Sequence, residues 1–359
     1  MTTPPDPGGA AAEVDVVVIN WNGARYLPRC LDALLASRAR LRVLVVDNAS
    51  EDGSADYLRR ERADVELVAL PENRGYAGAA NEGLRRGSAP YAFVMNPDLL
   101  VEPDHLSRLR DRLDADHAIG AAQGKLYHID EPTFVQRETP EANVIDSAGQ
   151  RISRTRMAFD RGQGEPDSGQ YDDEVSVFSA CGAGLFLRRA MLLDVGPAGH
   201  WLDEAFFAYK EDIDLCWRAR LHGWDIRFVP DAVAHHVRGV PGNDRAGWKR
   251  LSKAARRHSW KNHQLMLIKN DRLPDLLSSL PHVLAWEIAR LGHALLREPT
   301  LFGAYAQLAR CLPAALRARS ENLAVARRGG VDLKPWFGAD HLPSAFPADR
   351  ARVAPESPA

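Results

Sequence analysis

Apolar residues in the first hundred positions follow two alternating rhythms. Four short runs, at 14–19, 41–46, 65–70 and 91–95, are rich in Val, Ile, Leu and aromatic residues, the first two almost continuously. Strands covered on both faces read this way. Between them apolar positions recur at helical spacing, as at Leu27, Leu31, Leu34 and Leu35, and the small-residue stretch GYAGAANEGLRRG fills the third gap. Strands alternating with helices predict right-handed crossovers and a parallel sheet. The segment 13–100 therefore reads as a doubly wound, nucleotide-binding half of an α/β domain.

Further along the pattern loosens. Leu106, Leu109 and Leu113 predict a helix, and 128–174 is polar without a clear period, which predicts loops or short antiparallel strands. The stretch 177–192 reads as a small-residue strand, a loop and a helix entry. A helix starts near Glu211, with Ile213, Cys216, Trp217 and Leu221 on one face, Asp214 and Arg218 pairing on its surface, and Gly223 at its end. DIRFVPDAVAHHVRG predicts a short strand, a proline turn and a second short strand. From 245 to 328 the pattern is helical. The Pro/Ala-rich ends, 1–12 and 339–359, are expected to be disordered.

In open α/β sheets ligands bind beyond the carboxyl ends of the strands. Those ends here read Asn20-Trp21-Asn22-Gly23, Asp47-Asn48-Ala49-Ser50, Asn73-Arg74-Gly75 and Asn96-Pro97-Asp98. One polar strand end is an ordinary turn; four together predict a ligand crevice. Pro97 stops the strand, so Asp98 projects past the sheet edge. No G-x-G-x-x-G or P-loop pattern occurs, which disfavours dehydrogenases and P-loop ATPases. Neither does H-E-x-x-H or G-x-S-x-G. Glu211 and Asp212 open a helix just after Phe206, Phe207 and Tyr209. Acids at a helix start suit the dipole whatever their role, but a carboxylate held ionised by N–H groups in a partly enclosed place is also a workable general base. His236 could ligate a metal in an oxygen-rich site, with Arg238 nearby for phosphate.

Composition adds compartment and partners. The 359 residues are 45% hydrophobic and 26% charged, ordinary for one large soluble domain or two. The N-terminus lacks the basic start and apolar core of a signal peptide, and no apolar run reaches the ~18 residues of a membrane span. Cys30, Cys181, Cys216 and Cys311 lie far apart in apolar surroundings and read as buried thiols in a reducing compartment, by default the cytoplasm. Charge is segregated: 245–328 carries 16 Lys/Arg against 5 Asp/Glu, whereas 1–244 carries 27 against 39. The basic part, with Trp248 and Trp260 among its cations, suits either a helical cap on the catalytic domain or an anionic membrane surface. No nucleic-acid module is visible.

Taken in order, VVVINWNG, VVDNASEDGS, NRGYAGAANEG, VMNPDLLV, GAGLFLRRAML, DEAFFAYKEDIDLCWR and VPDAVAHHVRG resemble the inverting family 2 glycosyltransferases of GT-A fold. The resemblance covers about 14–240 and is nearest the bacterial branch of rhamnosyltransferases and other builders of surface polysaccharide. It implies a Rossmann-like, mostly parallel sheet flanked by helices over 13–240. Within it, 13–100 is the nucleotide-binding half and 101–240 the acceptor and catalytic half; a basic helical region, 241–338, follows. Asp47 matches the aspartate that binds the pyrimidine base, and Arg74 a base or phosphate contact; Asn20, Asn22, Asn73 and Asn96 line the same nucleotide site. Asp98 matches the last aspartate of the D-x-D motif, which binds Mg²⁺ or Mn²⁺; Asn96 stands where the first would be. Asp212 matches the catalytic base. His236, or by one position His235, matches a histidine that completes the metal site. Glu211, Gly182, Trp201 and Arg238 fall on the acceptor side or behind these contacts.

The implied reaction moves a hexose from a nucleoside-diphosphate sugar to a hydroxyl of a glycan or lipid-linked acceptor, with inversion, in cell-surface polysaccharide synthesis. The donor expected first is dTDP-rhamnose, then a UDP-sugar. The place expected is the cytoplasm, or the inner face of the plasma membrane, bound through 245–328. Two other readings compete. A sugar-phosphate nucleotidylyltransferase would want a Gly-rich basic loop after strand one, which NWNGARYLPR matches poorly. A non-catalytic nucleotide-sugar-binding protein would not need both Asp98 and Asp212.

Overall fold

The computed structural model describes residues 11–129, 143–196, 199–237 and 245–338. Residues 1–10 and 339–359 of the expected disordered ends, and Arg238, lie outside them. The four apolar runs form β1 (Val14–Asn20), β2 (Leu41–Asp47), β3 (Glu66–Ala69) and β4 (Tyr91–Met95), with α1 (Leu27–Leu35), α2 (Ser54–Glu61) and α3 (Gly75–Arg86) between them. There follow β5 (Leu99–Val101), α4 (His105–Ala115), β6 (Ile119–His128), β7 (Val144–Ser147), β8 (Gln150–Ile152), β9 (Ala158–Asp160), β10 (Val175–Ser176), β11 (Gly184–Arg188), α5 (Arg189–Val195), α6 (Glu211–Leu221) and β12 (Asp225–His236). The last part is helical: α7 (Arg245–Arg250), α8 (Lys253–Asn270), α9 (Leu273–Leu296) and α10 (Phe302–Gly329).

The main sheet runs β10-β12-β6-β11-β4-β1-β2-β3. Its β3-β2-β1-β4 half is parallel, β11 lies antiparallel between β4 and β6, and β12 is parallel to β6. Alternation along β1 explains how both faces are filled. Val14, Val16 and Val18 pack on Leu27, Leu31 and Leu34 of α1, while Val17 and Ile19 pack in the opposite core with Ala77, Ala80 and Leu84 of α3. The small residues of α3 permit close approach: a Cβ on Gly83 would fall 2.2 Å from Val17.

Two expectations change. DIRFVPDAVAHH is one strand, β12, with a register shift between Val229 and Val233. Pro230 has no N–H to pair, so the ladder skips there and resumes. The resumed stretch also pairs antiparallel with β5, setting His236 opposite Leu99. The α6 helix, read as having one apolar face, is buried all round. Asp214 does pair with Arg218, at 3.0 Å, but in the interior rather than on the surface. Lys269 and Asn270 of α8 complete its surroundings at 2.9 and 2.8 Å. Of the four free cysteines, Cys30 and Cys216 are buried, and Cys181 and Cys311 half-buried.

The basic excess of 245–328 has two parts. Lys261, Lys269 and Arg290 are buried, and Arg319 donates to the carbonyls of Ile268 and Asp271. Lys249, Arg250, Lys253, Arg297, Arg310 and Arg317 are exposed. On α9 the arrangement is inverted relative to an ordinary surface helix: Asp275 and Arg290 are buried, while Leu273, Leu277, Leu284, Ile288, Leu291 and Leu295 are exposed. Among the described residues no helix is long and apolar enough to cross a membrane.

Candidate active site

The parallel register brings the ends of β1 and β2 side by side, Asn20 opposite Asp47. Asn20 Nδ2 donates to Asp47 Oδ1 at 2.7 Å, and the Ser50 N–H donates to Asp47 Oδ2 at 3.1 Å. Asn22, at φ +54°, donates its backbone N–H to Ser50 Oγ and accepts from the Glu51 N–H. Asn73 and Asn48 form the next link: Asn48 Nδ2 donates to Asn73 Oδ1 at 3.0 Å, and Asn48 Oδ1 accepts from the Arg74 N–H. These turns make a polar ledge along one edge of the sheet. The Arg74 guanidinium is engaged within the protein, 2.8 Å from Glu204 and 3.2 Å from Glu82.

At the end of β4 the chain turns through Asn96-Pro97-Asp98 into β5. Pairing of β5 with β12 lets the Asp98 carbonyl accept from the Val237 N–H at 3.0 Å. The same pairing sets His236 Nε2 3.4 Å from Asp98 Oδ1. Both atoms are buried and, among the described residues, neither makes a closer hydrogen bond. His236 Nδ1 is 2.8 Å from Asp146 Oδ2, on β7. That contact directs Nε2 at Asp98, the arrangement in which an imidazole offers its other nitrogen to a metal. Burial would lower the His236 pKa, but the Asp146 and Asp98 carboxylates outweigh it and push it up to about 10. His235, the neighbouring candidate, points elsewhere, to Glu102 at 3.2 Å.

The third corner is the start of α6. Asp212 Oδ2 accepts from the Gly182 N–H at 2.8 Å, and Oδ1 accepts from the Ile213 N–H at 2.8 Å. Burial raises its pKa above the usual carboxylate range, and those two N–H groups restrain the rise. Glu211 is raised further, by burial and by the adjacent Asp212 charge. Ala183 joins the corners: its carbonyl accepts from the Asn96 N–H at 3.1 Å, one residue from Gly182. Tyr76 of α3 donates to the Gly182 carbonyl. Trp201 lies in the core instead, with its ring beside Gly196 and its carbonyl accepting from Arg218.

The turn that delivers Asp212 is strained. Phe207, Tyr209 and Lys210 have φ of +66°, +73° and +73°. Two elements hold it. The N–H of Ala77 donates to the Phe207 carbonyl at 3.2 Å, in an approach so close that a Cβ on Gly75 would fall 2.3 Å from that oxygen. From the other side, Asn262 Nδ2 of α8 contacts the carbonyls of Phe206, Ala208 and Tyr209 at 2.9, 2.8 and 2.7 Å. Asp146, Glu204 and Asn262 were not anticipated; each acts across a long chain separation and carries no local motif.

A family model described as glycosyl transferase family 2 matches residues 15–183. The chain carries a family 2 glycosyl transferase domain. The match takes in the four strand ends and Gly182; Asp212 and His236 follow it. The transferase is 29% identical over 255 residues to N-acetylglucosaminyl-diphospho-decaprenol L-rhamnosyltransferase of Mycobacterium tuberculosis, covering 64% of this chain and 78% of that protein. It is 26% identical over 350 residues to the pre-mycofactocin glycosyltransferase of the same organism, covering 95% of this chain and 66% of that one. Its fold is similar to Staphylococcus aureus TarS 1–349 in complex with UDP-GlcNAc, with a TM-score of 0.52 at 15% identity over 89% of this chain and 93% of that one. It is also similar to GalNAc-T7 with UDP, GalNAc and Mn²⁺, with a TM-score of 0.53 at 14% identity over 74% and 48%. The GT-A fold expected from the sequence is thus the fold of the transferase.

Proposed function

We propose that this transferase moves a sugar from a nucleoside-diphosphate sugar to a hydroxyl of a glycan or lipid-linked acceptor in one inverting displacement, in cell-surface polysaccharide synthesis. The observation that carries this is the held carboxylate of Asp212, joined through Gly182 and Ala183 to the Asp98 corner. Asp212 takes the proton of the acceptor hydroxyl as that oxygen attacks the anomeric carbon. Burial and the neighbouring Asp212 charge favour the neutral form of Glu211 beside it. Asn20, Asn22, Asp47, Asn73 and Asn96 form the nucleotide ledge. Arg74 reaches a phosphate only by giving up Glu82 or Glu204.

Mg²⁺ or Mn²⁺ fits the third part of the site. Asp98 Oδ1 and His236 Nε2 are buried and face each other at 3.4 Å, with Asp146 orienting the imidazole; the cation would take the place of the proton these carboxylates favour on the ring. These residues would hold the ion, which when bound neutralises the charge of the leaving diphosphate. The donor to test first is dTDP-rhamnose, consistent with the Mycobacterium tuberculosis relative named for L-rhamnosyl transfer; UDP-sugars come next. The exposed apolar face of α9, beside Lys249, Arg250, Lys253 and Arg297, supports attachment to an anionic membrane surface, at the cytoplasmic face.

The test is donor hydrolysis with Mn²⁺ or Mg²⁺, alongside thermal shift with each nucleotide sugar. The expected result is metal-dependent hydrolysis of one donor, abolished in Asp212→Asn while the donor-induced shift remains. Near-full turnover in Asp212→Asn would overturn the assignment of the base.

A further inference from the structure

Between α8 and α9 lies a cavity of about 380 Å³, lined by Lys210, Trp248, Trp260, His263, Trp286 and Arg290 among others. Its size is that of a small-ligand site. Three tryptophans line it, and the Trp260 and Trp286 Nε1–H groups are buried without acceptors among the described residues. Two cations share the space. Lys210 Nζ has one hydrogen bond among the described residues, to Ser259 Oγ at 3.1 Å. Arg290 lies over the Trp260 ring at 4.2 Å and is 3.2 Å from Glu287. Burial and the like charge of Arg290 push the Lys210 pKa down to about 8. A partly open, mostly apolar cavity with spare N–H donors and a crowded ammonium suits a molecule whose apolar body ends in an anion.

The position matters as much as the lining. Lys210, which lines the cavity, is the N-cap of α6 and precedes Asp212 by two residues, so the cavity lies next to the turn that carries the candidate base. The helix that supplies Trp286 and Arg290 inward presents Leu284, Ile288 and Leu291 outward. We propose that this cavity binds the acceptor's apolar chain next to its phosphate, bringing the sugar end of a lipid-phosphate acceptor to Asp212. The acceptor role rests on the transferase reading above; the binding chemistry stands apart from it.

The probe is farnesyl phosphate below its aggregation concentration, in EDTA so that no cation occupies the Asp98 corner, with tryptophan fluorescence and calorimetry as readouts. Farnesol and inorganic phosphate are the comparison ligands. Saturable binding of farnesyl phosphate is expected, at least tenfold tighter than either comparison ligand. Trp286→Ala and the space-filling Ala289→Trp should each weaken it at least tenfold while leaving donor hydrolysis unchanged. Equal binding of inorganic phosphate, or unaltered binding by both variants, would overturn the proposal. Donor hydrolysis by a wild-type protein that ignores farnesyl phosphate would sink this site alone. Conversely, farnesyl phosphate binding without hydrolysis of any nucleotide sugar would uphold the site and sink the transferase reading.

Discussion

Asn262 offers the sharpest test of how the site is held. Its side-chain amide has two hydrogens and meets three carbonyls of the turn at 2.7–2.9 Å, the equivalent of two full hydrogen bonds with one hydrogen shared. The turn it grips contains three non-glycine residues at positive φ, each costing about 1 kcal/mol. Replacing Asn262 with Asp keeps shape and volume but removes the donors and sets a carboxylate against carbonyl oxygens. Two lost bonds with their buried acceptors amount to about 2–4 kcal/mol, comparable to the strain they restrain. The turn therefore relaxes, and Asp212, three residues downstream of Tyr209, shifts with it. A displacement near 1 Å costs on the order of 10²-fold in rate. The assay is donor hydrolysis, resolved into kcat and KM, beside nucleotide affinity by thermal shift. Asn262→Asp and Asn262→Leu should both lose about 10²-fold in kcat while nucleotide affinity stays within about threefold, since the ledge of β1 and β2 is untouched. Unchanged kcat in both variants would refute the positioning role; a parallel loss of nucleotide affinity would show general unfolding instead.

Three further outcomes follow from the geometry. Asp98→Ala should abolish the Mn²⁺-induced thermal shift and donor hydrolysis, Asp146→Asn should weaken metal affinity about 10–100-fold, and Asn96→Asp should retain activity; titration of each variant with Mn²⁺ checks the order. Gly75→Ala should destabilise by about 2–4 kcal/mol in urea unfolding, because a Cβ at φ +70° would meet the Phe207 carbonyl at 2.3 Å. His105 and His263 are each pushed down to about 4 by burial. Both stay neutral when folded, whereas in the unfolded chain they protonate near 6.5. Stability from this source is full above pH 6.5 and is lost as pH falls towards 4, by at most about 3 kcal/mol per histidine; urea melts at pH 7, 5.5 and 4.5 should show the decline, and His105→Phe should flatten it.

The first half of the sheet was legible because its information is local. Strands covered on both faces must be almost wholly apolar, so 14–19 and 91–95 declare themselves, and the polar residues that follow must be strand ends. The β12 strand was misread because Pro230 has the chemistry of a break, and only the pairing with β6 on both sides shows that the strand continues. Asp214 was expected at the surface because nothing near it in sequence reveals Lys269 and Asn270. Asp146 lay in a polar stretch with no period, and its value appears only when β7 lies beside β6 and so close to His236. Arg74 was expected to face the ligand; Glu204, 130 residues later, engages it. What escaped is what depends on docking between distant segments, where periodicity carries no signal.

The grip of α8 on the turn before Asp212 also sets an order of events during synthesis. Asp212 leaves the ribosome 58 residues before Asn270, a delay of roughly 3–12 s at ordinary elongation rates. For most of that interval Asp214 lacks Lys269 and Asn270, and the three carbonyls ahead of α6 lack Asn262. The nascent chain thus carries the polar ledge before it carries a positioned Asp212. On the proposed mechanism, catalytic competence arrives late, with the docking of α8, and a chain cut short before α8 is expected to be inactive rather than half-active.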